Sequence, residues 1–307
     1  MGPAVDIIEV SPRDGLQNEA QHLSTSAKVE LIARALASGV RRIEVTSFVN
    51  PALVPQMADA EAVLESLPKS SGVSYSVLVL NDRGLDRAMA AGANEVNLVV
   101  VASDTFGMRN QRQTVDDGIK CVSRLAERAK AAGLQVTATI GAAFGCPFEG
   151  EISASRVIEI VQRLSQTGVL DELSLADTIG VAVPTDVSSL VGKLHGAVAE
   201  LPPLRLHLHD TRHTGVANAY AGWQEGVTRF DASIGGAGGC PFAPNATGNV
   251  ATEDLVFLFD RMGVLTGIDL TTLCTHVPWF EEQLQHSLPG AISRSGGFPL
   301  PRGQEAP

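Results

Sequence analysis

From Val5 onward the chain alternates short β-branched runs with longer stretches in which apolar residues recur at helical spacing. This alternation narrows the fold more than any other feature, because strand–helix repeats bury their apolar faces by building a mainly parallel sheet covered with helices. The candidate strands are VDIIEV from Val5, RIEVTSF from Arg42, SYSVLVL from Ser74, EVNLVVVA from Glu95, LQVTATIGAA from Leu134, ELSLADT from Glu172, LRLHLHD from Leu204 and RFDASIGG from Arg229. Between them lie helical patterns such as SAKVELIARALASG, with Ser26 the expected N-cap and Gly39 the stop, and TVDDGIKCVSRLAERAKAAG, stopping at Gly133. The endings ASG, AAG and QTG repeat the glycine that lets a helix close in the left-handed region. Eight units in roughly 260 residues is the count of a TIM barrel. A doubly wound sheet would carry GxGxxG after its first strand, where this chain reads SPRDGLQNE. The expectation is an α/β fold, a TIM (β/α)8 barrel with a C-terminal helical extension over TTLCTHVPWFEEQLQHSL. One domain then spans 1–290, and the Gly/Pro-rich 291–307 is a mobile tail.

Composition removes several classes of partner. With 307 residues, a net charge of −11 and a pI of about 5.1, the chain does not suit nucleic acid or an anionic membrane surface. A small anionic ligand needs only a few local cations and stays allowed. No apolar run reaches membrane-spanning length, and MGPAVDIIEV lacks the basic and apolar regions of a signal peptide. Cys121, Cys146, Cys240 and Cys274 show no CxxC spacing, so reduced thiols in a cytoplasmic protein are the expectation.

A barrel of this kind carries its site at the C-terminal ends of the strands, and the chemistry can be read there. After the first strand come Arg13, Asp14 and Gln17; the second contains Glu44, the sixth Ser174 and Asp177, and the seventh ends in His207 and His209. The eighth runs into GGAGGCPFAPNATGN, with Cys240 and Asn249. In LRLHLHD the two histidines share one face and Leu204, Leu206 and Leu208 the other. Alone, such a pair reads as ordinary half-exposed strand residues. A carboxylate after the first strand and a Gly-rich loop after the eighth favour a divalent cation held by Asp14, His207 and His209, to which Asn249 can add a carbonyl oxygen. His213 is expected to cap a turn or face solvent. Cys240, in a run of glycines, is either a small buried hydrophobe or a general acid; Cys146, in the similar GCPFEG, reads as structural. Arg13 beside Asp14 suits a developing oxyanion better than a surface ion pair. Glu44, an acid in an apolar strand, needs a buried partner, and Arg13 is the obvious one.

Together VSPRDGLQNE, IEVTSFVNP, VPQM, SLADTIGV, HLHDT and GAGGCPFAPNATGNVATEDL resemble the 3-hydroxy-3-methylglutaryl-CoA (HMG-CoA) lyase family, over most of Val5 to Leu270. RDGLQ resembles the lyases, whereas the related condensing synthases more often read RDGEQ and carry long C-terminal regions. The resemblance implies a carbon–carbon lyase that splits an HMG-CoA-type thioester by retro-Claisen reaction into acetyl-CoA and acetoacetate, chemistry of leucine breakdown and ketone-body formation. The alternatives are a lyase for citramalyl-CoA or a longer branched glutaryl-CoA and, further off, a condensing acyltransferase. It implies magnesium or manganese bound by Asp14, His207, His209 and Asn249, and catalytic roles for Arg13, Glu44 and Cys240, with Asp14 and His207 counted with them. Gln17, Ser174, Asp177, Arg109 and Asn110 would line the acyl-CoA site, coenzyme A entering as part of the substrate; a homo-oligomer is compatible with all of this. The chain departs from common relatives at Ala20, at Met108 and at RHTG (residues 212–215), which leaves the reaction class intact and the acyl group open.

Overall fold

The computed structural model describes residues 4–69, 71–240 and 243–298, with the backbone alone at Cys240 and over 243–247. In chain order the strands are β1 (Asp6–Glu9), β2 (Arg42–Ser47), β3 (Ser74–Val79), β4 (Glu95–Val101), β5 (Gln135–Gly141), the short pair β6 (Gly145–Cys146) and β7 (Gly150–Glu151), β8 (Glu172–Asp177), β9 (Leu204–Leu208), β10 (Arg229–Ala232), and the pair β11 (Gly239–Cys240) and β12 (Ala243–Thr247). Eight of them close a barrel in the order β1-β10-β9-β8-β5-β4-β3-β2. All its neighbours are parallel. The two short pairs are antiparallel hairpins outside the barrel, and they enclose the two GCPF segments, which sequence periodicity alone did not resolve.

The helices are α1 (Thr25–Ala37), α2 (Ala60–Ser66), α3 (Asp82–Ala90), α4 (Asp104–Asn110), α5 (Val115–Ala131), α6 (Ala154–Ser165), α7 (Pro184–Ala197), α8 (Gly215–Gln224), α9 (Thr252–Arg261), α10 (Leu270–Leu284) and α11 (Ile292–Ser295). The expected N-cap of α1 moves from Ser26 to Ser24, whose Oγ accepts the Ala27 N–H at 3.2 Å; Ser26 Oγ pairs with Ser24 Oγ instead. The glycine stops hold, with φ of +102° at Gly39, +83° at Gly133 and +66° at Gly168. In the C-terminal extension α10 packs on α1 and α9. Just past residue 290, Ala291 and Ile292 donate backbone N–H groups to Asp254, and α11 follows. No helix among the described residues is long and apolar enough to cross a membrane.

The two faces of each strand meet different surroundings. Outward residues pack under helices: a Cβ added at Gly222 of α8 would come within 2.3 Å of Leu206 Cδ1, so helix and strand lie in direct contact. The Phe230 ring sits 5.3 Å from that of Phe259 on α9. Inward residues are polar to an unusual degree for this fold, whose barrels are mostly filled with branched apolar side chains. Arg42 on β2 donates from Nη2 to Glu172 Oε1 on β8 at 2.8 Å and to Glu95 Oε1 at 2.6 Å. Three strands separate β2 from β8 in the barrel order, so this contact spans the lumen. Arg205 and Arg229 also reach Glu172, at 3.3 and 3.2 Å. An ionic layer therefore fills the end of the barrel where the strands begin, and each buried charge in it has an opposite partner, as burial requires.

Candidate active site

At the opposite end, the chain leaves β1 through a tight helical turn over Ser11–Gly15 with Pro12 near its start. The turn is anchored from below: Glu9 Oε1 accepts the backbone N–H of Ser11 at 2.9 Å and of Ile234 at 3.1 Å, tying it to the loop after β10. Arg13 and Asp14 are thereby held over the rim. Arg13 Nε donates to Glu44 Oε2 at 2.5 Å and Nη1 to Asp14 Oδ1 at 2.5 Å. The second oxygen of Glu44 accepts from Asn97 Nδ2 at 2.8 Å, and Asn97 Oδ1 accepts from Thr139 Oγ1 at 2.7 Å. Burial opposes the charge on Arg13, but Glu44 and Asp14 outweigh it and hold the guanidinium protonated. Burial likewise works against ionised Asp14, and Arg13 with the two histidines overcomes it, leaving its carboxyl well below the usual range.

The pair at the end of β9 faces Asp14. Its Oδ2 lies 4.0 Å from His207 Nε2 and 3.8 Å from His209 Nε2, and the two ring nitrogens are 3.2 Å apart. Neighbouring ligands of a cation bound at about 2.1 Å in octahedral geometry lie about 3 Å from one another, so the set is close to a coordination shell. Asn249 completes one side: Nδ2 donates to Asp14 Oδ2 at 2.8 Å and to the Ala237 carbonyl at 3.1 Å, while Oδ1 is buried without a partner. An unpaired buried carbonyl oxygen is costly unless something else takes its lone pairs. With two imidazoles, one carboxylate and this amide oxygen, the residues fit a divalent cation, and Asp14, His207 and His209 form a metal-capable cluster among the described residues. On the far side of His207, Nδ1 lies 3.0 Å from Asp231 Oδ2. Burial lowers the pKa of His207, but the bond to Asp231 and the charge of Asp14 leave it raised; His209, equally buried and beside His207, is pushed down to about 4.

Asn249 is positioned by close backbone packing. Gly238 has a φ of +124° and a Cβ there would sit 2.7 Å from Asn249 Nδ2; a Cβ at Gly248 would meet Gly236 O at 2.5 Å. The run GGAGG thus lets two loop segments touch, and His209 pairs with Asn249 as an isolated antiparallel bridge.

The remaining expected residues fall in several places. Ser174 is buried in β8 with its Oγ unpartnered, beside Thr139 and Arg205 in register. Both carboxylate oxygens of Asp177 accept backbone N–H groups, from Val181 and Ala182 at 2.9 Å each, so its contacts serve the loop into α7. Gln17 is half-buried just past the turn. Arg109 and Asn110 are exposed on α4, Arg109 lying 4.1 Å above the Phe148 ring. The Cys240 side chain lies outside the described residues. Cys146 is buried and its Sγ receives the N–H groups of Phe148 and Glu149 at 3.4 Å each, a packing role that fits the structural expectation. His213 faces solvent. Sequence reading passed over Asn97, Thr139, Arg205 and Asp231. Their signal was present: each is a polar residue at an inward, every-second position of an otherwise apolar strand.

Residues 4–277 match the HMGL-like family model. An (R)-citramalyl-CoA lyase of Chloroflexus aurantiacus is 45% identical over 95% of this chain and 95% of its own length. A hydroxymethylglutaryl-CoA lyase of Bacillus subtilis is 38% identical, over 93% of this chain and 95% of its own. Among solved structures, an HMG-CoA lyase from Acinetobacter baumannii in complex with coenzyme A and 3-methylmalate superposes with a TM-score of 0.92 at 36% identity, covering 98% of both chains.

Proposed function

This chain belongs to the HMGL-like family of carbon–carbon lyases, and from that premise we propose that it cleaves 3-hydroxy-3-methylglutaryl-CoA to acetyl-CoA and acetoacetate with magnesium or manganese as cofactor. The observation that carries this is the convergence of Asp14, His207, His209 and the unpaired Asn249 oxygen beside the Arg13 guanidinium. A divalent cation held by those four would lower the pKa of the substrate's 3-hydroxyl and orient its oxygens.

The rest is the work of the chain. In the reaction the hydroxyl gives up its proton to a neighbouring base, for which His207 and Asp14 are the candidates. The bond between the carbinol carbon and the thioester α-carbon breaks to leave the ketone of acetoacetate, and its electron pair becomes the enolate of acetyl-CoA. Two N–H groups of Arg13 are committed to Glu44 and Asp14, which leaves others for the enolate oxygen. Glu44 and Asn97 keep that guanidinium in place. We assign the return of a proton to the enolate carbon to Cys240, on the loop after the last barrel strand. Gln17, Ser174 and Asp177 remain the candidates for the acyl wall, and Arg109 and Asn110 for the entrance taken by coenzyme A.

A second substrate is favoured by the 45% identity to a citramalyl-CoA lyase. Citramalyl-CoA carries hydroxyl and carboxylate on one carbon and would yield pyruvate. Apolar pockets separate substrates that differ by one methylene only about ten- to two-hundredfold. Ala20 and Met108 are exposed, and Arg212 of the RHTG segment donates to the Ile179 and Gly180 carbonyls, so these departures change the rim and leave the cation cluster intact. The test is acetyl-CoA release from HMG-CoA, citramalyl-CoA and a longer branched glutaryl-CoA, with and without added metal. Turnover of HMG-CoA with detectable turnover of a second thioester is expected; no metal-dependent release from any of them would overturn the assignment.

A further inference from the structure

Arg205 is one of the largest fully buried side chains in the molecule, on the same inward face of β9 as His207. It lies between the two ends of the barrel. Its Nη1 is 3.3 Å from Glu172 Oε1, in the ionic layer, and its Nε is 3.3 Å from Asp231 Oδ1. The other oxygen of Asp231 meets His207 Nδ1 at 3.0 Å. Glu172 is itself held by Arg42 and Arg229. A continuous chain of contacts therefore runs from the far mouth of the barrel, through Glu172, Arg205 and Asp231, to the imidazole whose Nε2 faces Asp14.

We propose that Arg205 is a positioning residue for the cation site, acting through Asp231 to fix the ring orientation and tautomer of His207. The physical reasons are two. A buried carboxylate needs an opposite charge, and Arg205 is the cation in direct contact with Asp231. A carboxylate so held can take the Nδ1–H of His207, which leaves the Nε2 lone pair for a metal; ring orientation by an outer carboxylate is a common way to raise ligand quality. The Nε contact of Arg205 is off the line of a good hydrogen bond, since neither Nε nor Asp231 Oδ1 has a hydrogen-bond partner. Charge and placement, more than a directional bond, carry the effect, so a lysine at this position should keep part of it. The consequence is that metal affinity depends on a side chain that cannot touch metal or substrate.

The inference rests on the cation-site assignment above, and its test separates the two. Mn2+ affinity is measured on the full chain without substrate for wild type, Asp231→Asn, Arg205→Met, Arg205→Lys and the double variant Asp231→Asn/Arg205→Met. Asp231→Asn should weaken binding about 10- to 100-fold, the usual cost of losing an outer-shell partner. Arg205→Met should weaken it measurably, Arg205→Lys less, and the double variant no more than Asp231→Asn alone, because the link is already cut. Losses that multiply in the double variant, or unchanged affinity in both Arg205 variants, would overturn the proposal. Should Arg205→Met fail to fold, the lysine variant decides by itself: unchanged affinity refutes, weaker binding supports. The ring nitrogens of His207, followed by 15N NMR in metal-free protein at alkaline pH, give a readout that needs no metal. The Nδ1–H form should dominate in wild type and lose its dominance in Asp231→Asn and in the Arg205 variant that folds. If wild type binds no Mn2+, the cation assignment fails, while the tautomer measurement still decides the role of Arg205.

Discussion

Arg13 and Glu44 lie 31 residues apart in the chain and meet through Nε and Oε2 at 2.5 Å, both buried, where the turn after β1 lies against the neighbouring strand β2. A guanidinium held this way is preorganised toward charge that appears only during reaction, where such donors are worth most. Arg13→Met should therefore lower kcat about 10²–10³-fold. Glu44→Ala should also lower kcat, because Arg13 would then lean only on Asp14, with a smaller change in KM. Steady-state kinetics under saturating metal check this. A Glu44 variant that changed KM alone would show that the pair binds substrate without favouring the transition state.

His207→Ala should abolish most divalent-cation affinity while the barrel stays folded, since Leu204, Leu206 and Leu208 on the opposite face are untouched. Asn249→Ala should cost less, because it removes one neutral oxygen. Titration with Mn2+, read beside circular dichroism, measures both effects. An unchanged isotherm for His207→Ala would return the histidines to ordinary strand residues.

The two GCPF segments give a paired test of the acid. Cys240→Ala should lower turnover roughly 10²–10⁴-fold with metal binding intact, as removal of a general acid does. Cys146→Ala should instead cost stability, since its sulfur is packed against the amides of the β6–β7 turn. Equal losses of activity in both variants would remove Cys240 from the mechanism.

Ionisation of Glu253 should take stability away as pH rises from about 4.5 to about 8. Burial pushes its carboxyl up from 4.5 to about 8, with Asp254 and Glu9 adding to the rise. Between those two values the native chain holds a proton that the unfolded chain has lost, so this contribution is complete below 4.5 and lost as pH climbs toward 8. Glu253→Gln keeps an acceptor for the Gly235 N–H and cannot ionise. Its urea midpoints should vary less steeply across that window, by up to about 1.4 kcal/mol per pH unit. A slope equal to that of wild type would mean the carboxyl is ionised in the native state.

Much of this was legible in the chain because periodicity carries it. All eight barrel strands lie where short apolar or alternating runs stand in the sequence, and the demand of Glu44 for a cation already named Arg13. The hairpins around the two GCPF segments were not legible, because two-residue strands have no period. The cap of α1 was misplaced because Ser24 and Ser26 are chemically equal and only geometry chooses between them. The ionic layer was missed for a different reason. Arg42, Glu95, Glu172 and Arg205 stand far apart in the chain, each at or next to the start of its strand; only closure of the barrel brings them face to face. Asp177, a candidate for the site wall, also has both oxygens engaged by the loop into α7, a use that no spacing rule announces.

The division of β9 into an apolar outer row and a polar inner row has a consequence for how this molecule can err. A slip of one residue in β9 would turn Leu204, Leu206 and Leu208 into the lumen and drive Arg205, His207 and His209 under α8. Charges would be stranded among hydrocarbon and the cation pocket lost in the same movement. A misaligned barrel is thus both unstable and inert, with no partly working form in between. For anyone altering the protein, the two rows are separate ledgers: outer positions can be tuned for heat resistance, inner ones for chemistry, with little crosstalk except where Arg205 joins the floor of the barrel to its mouth.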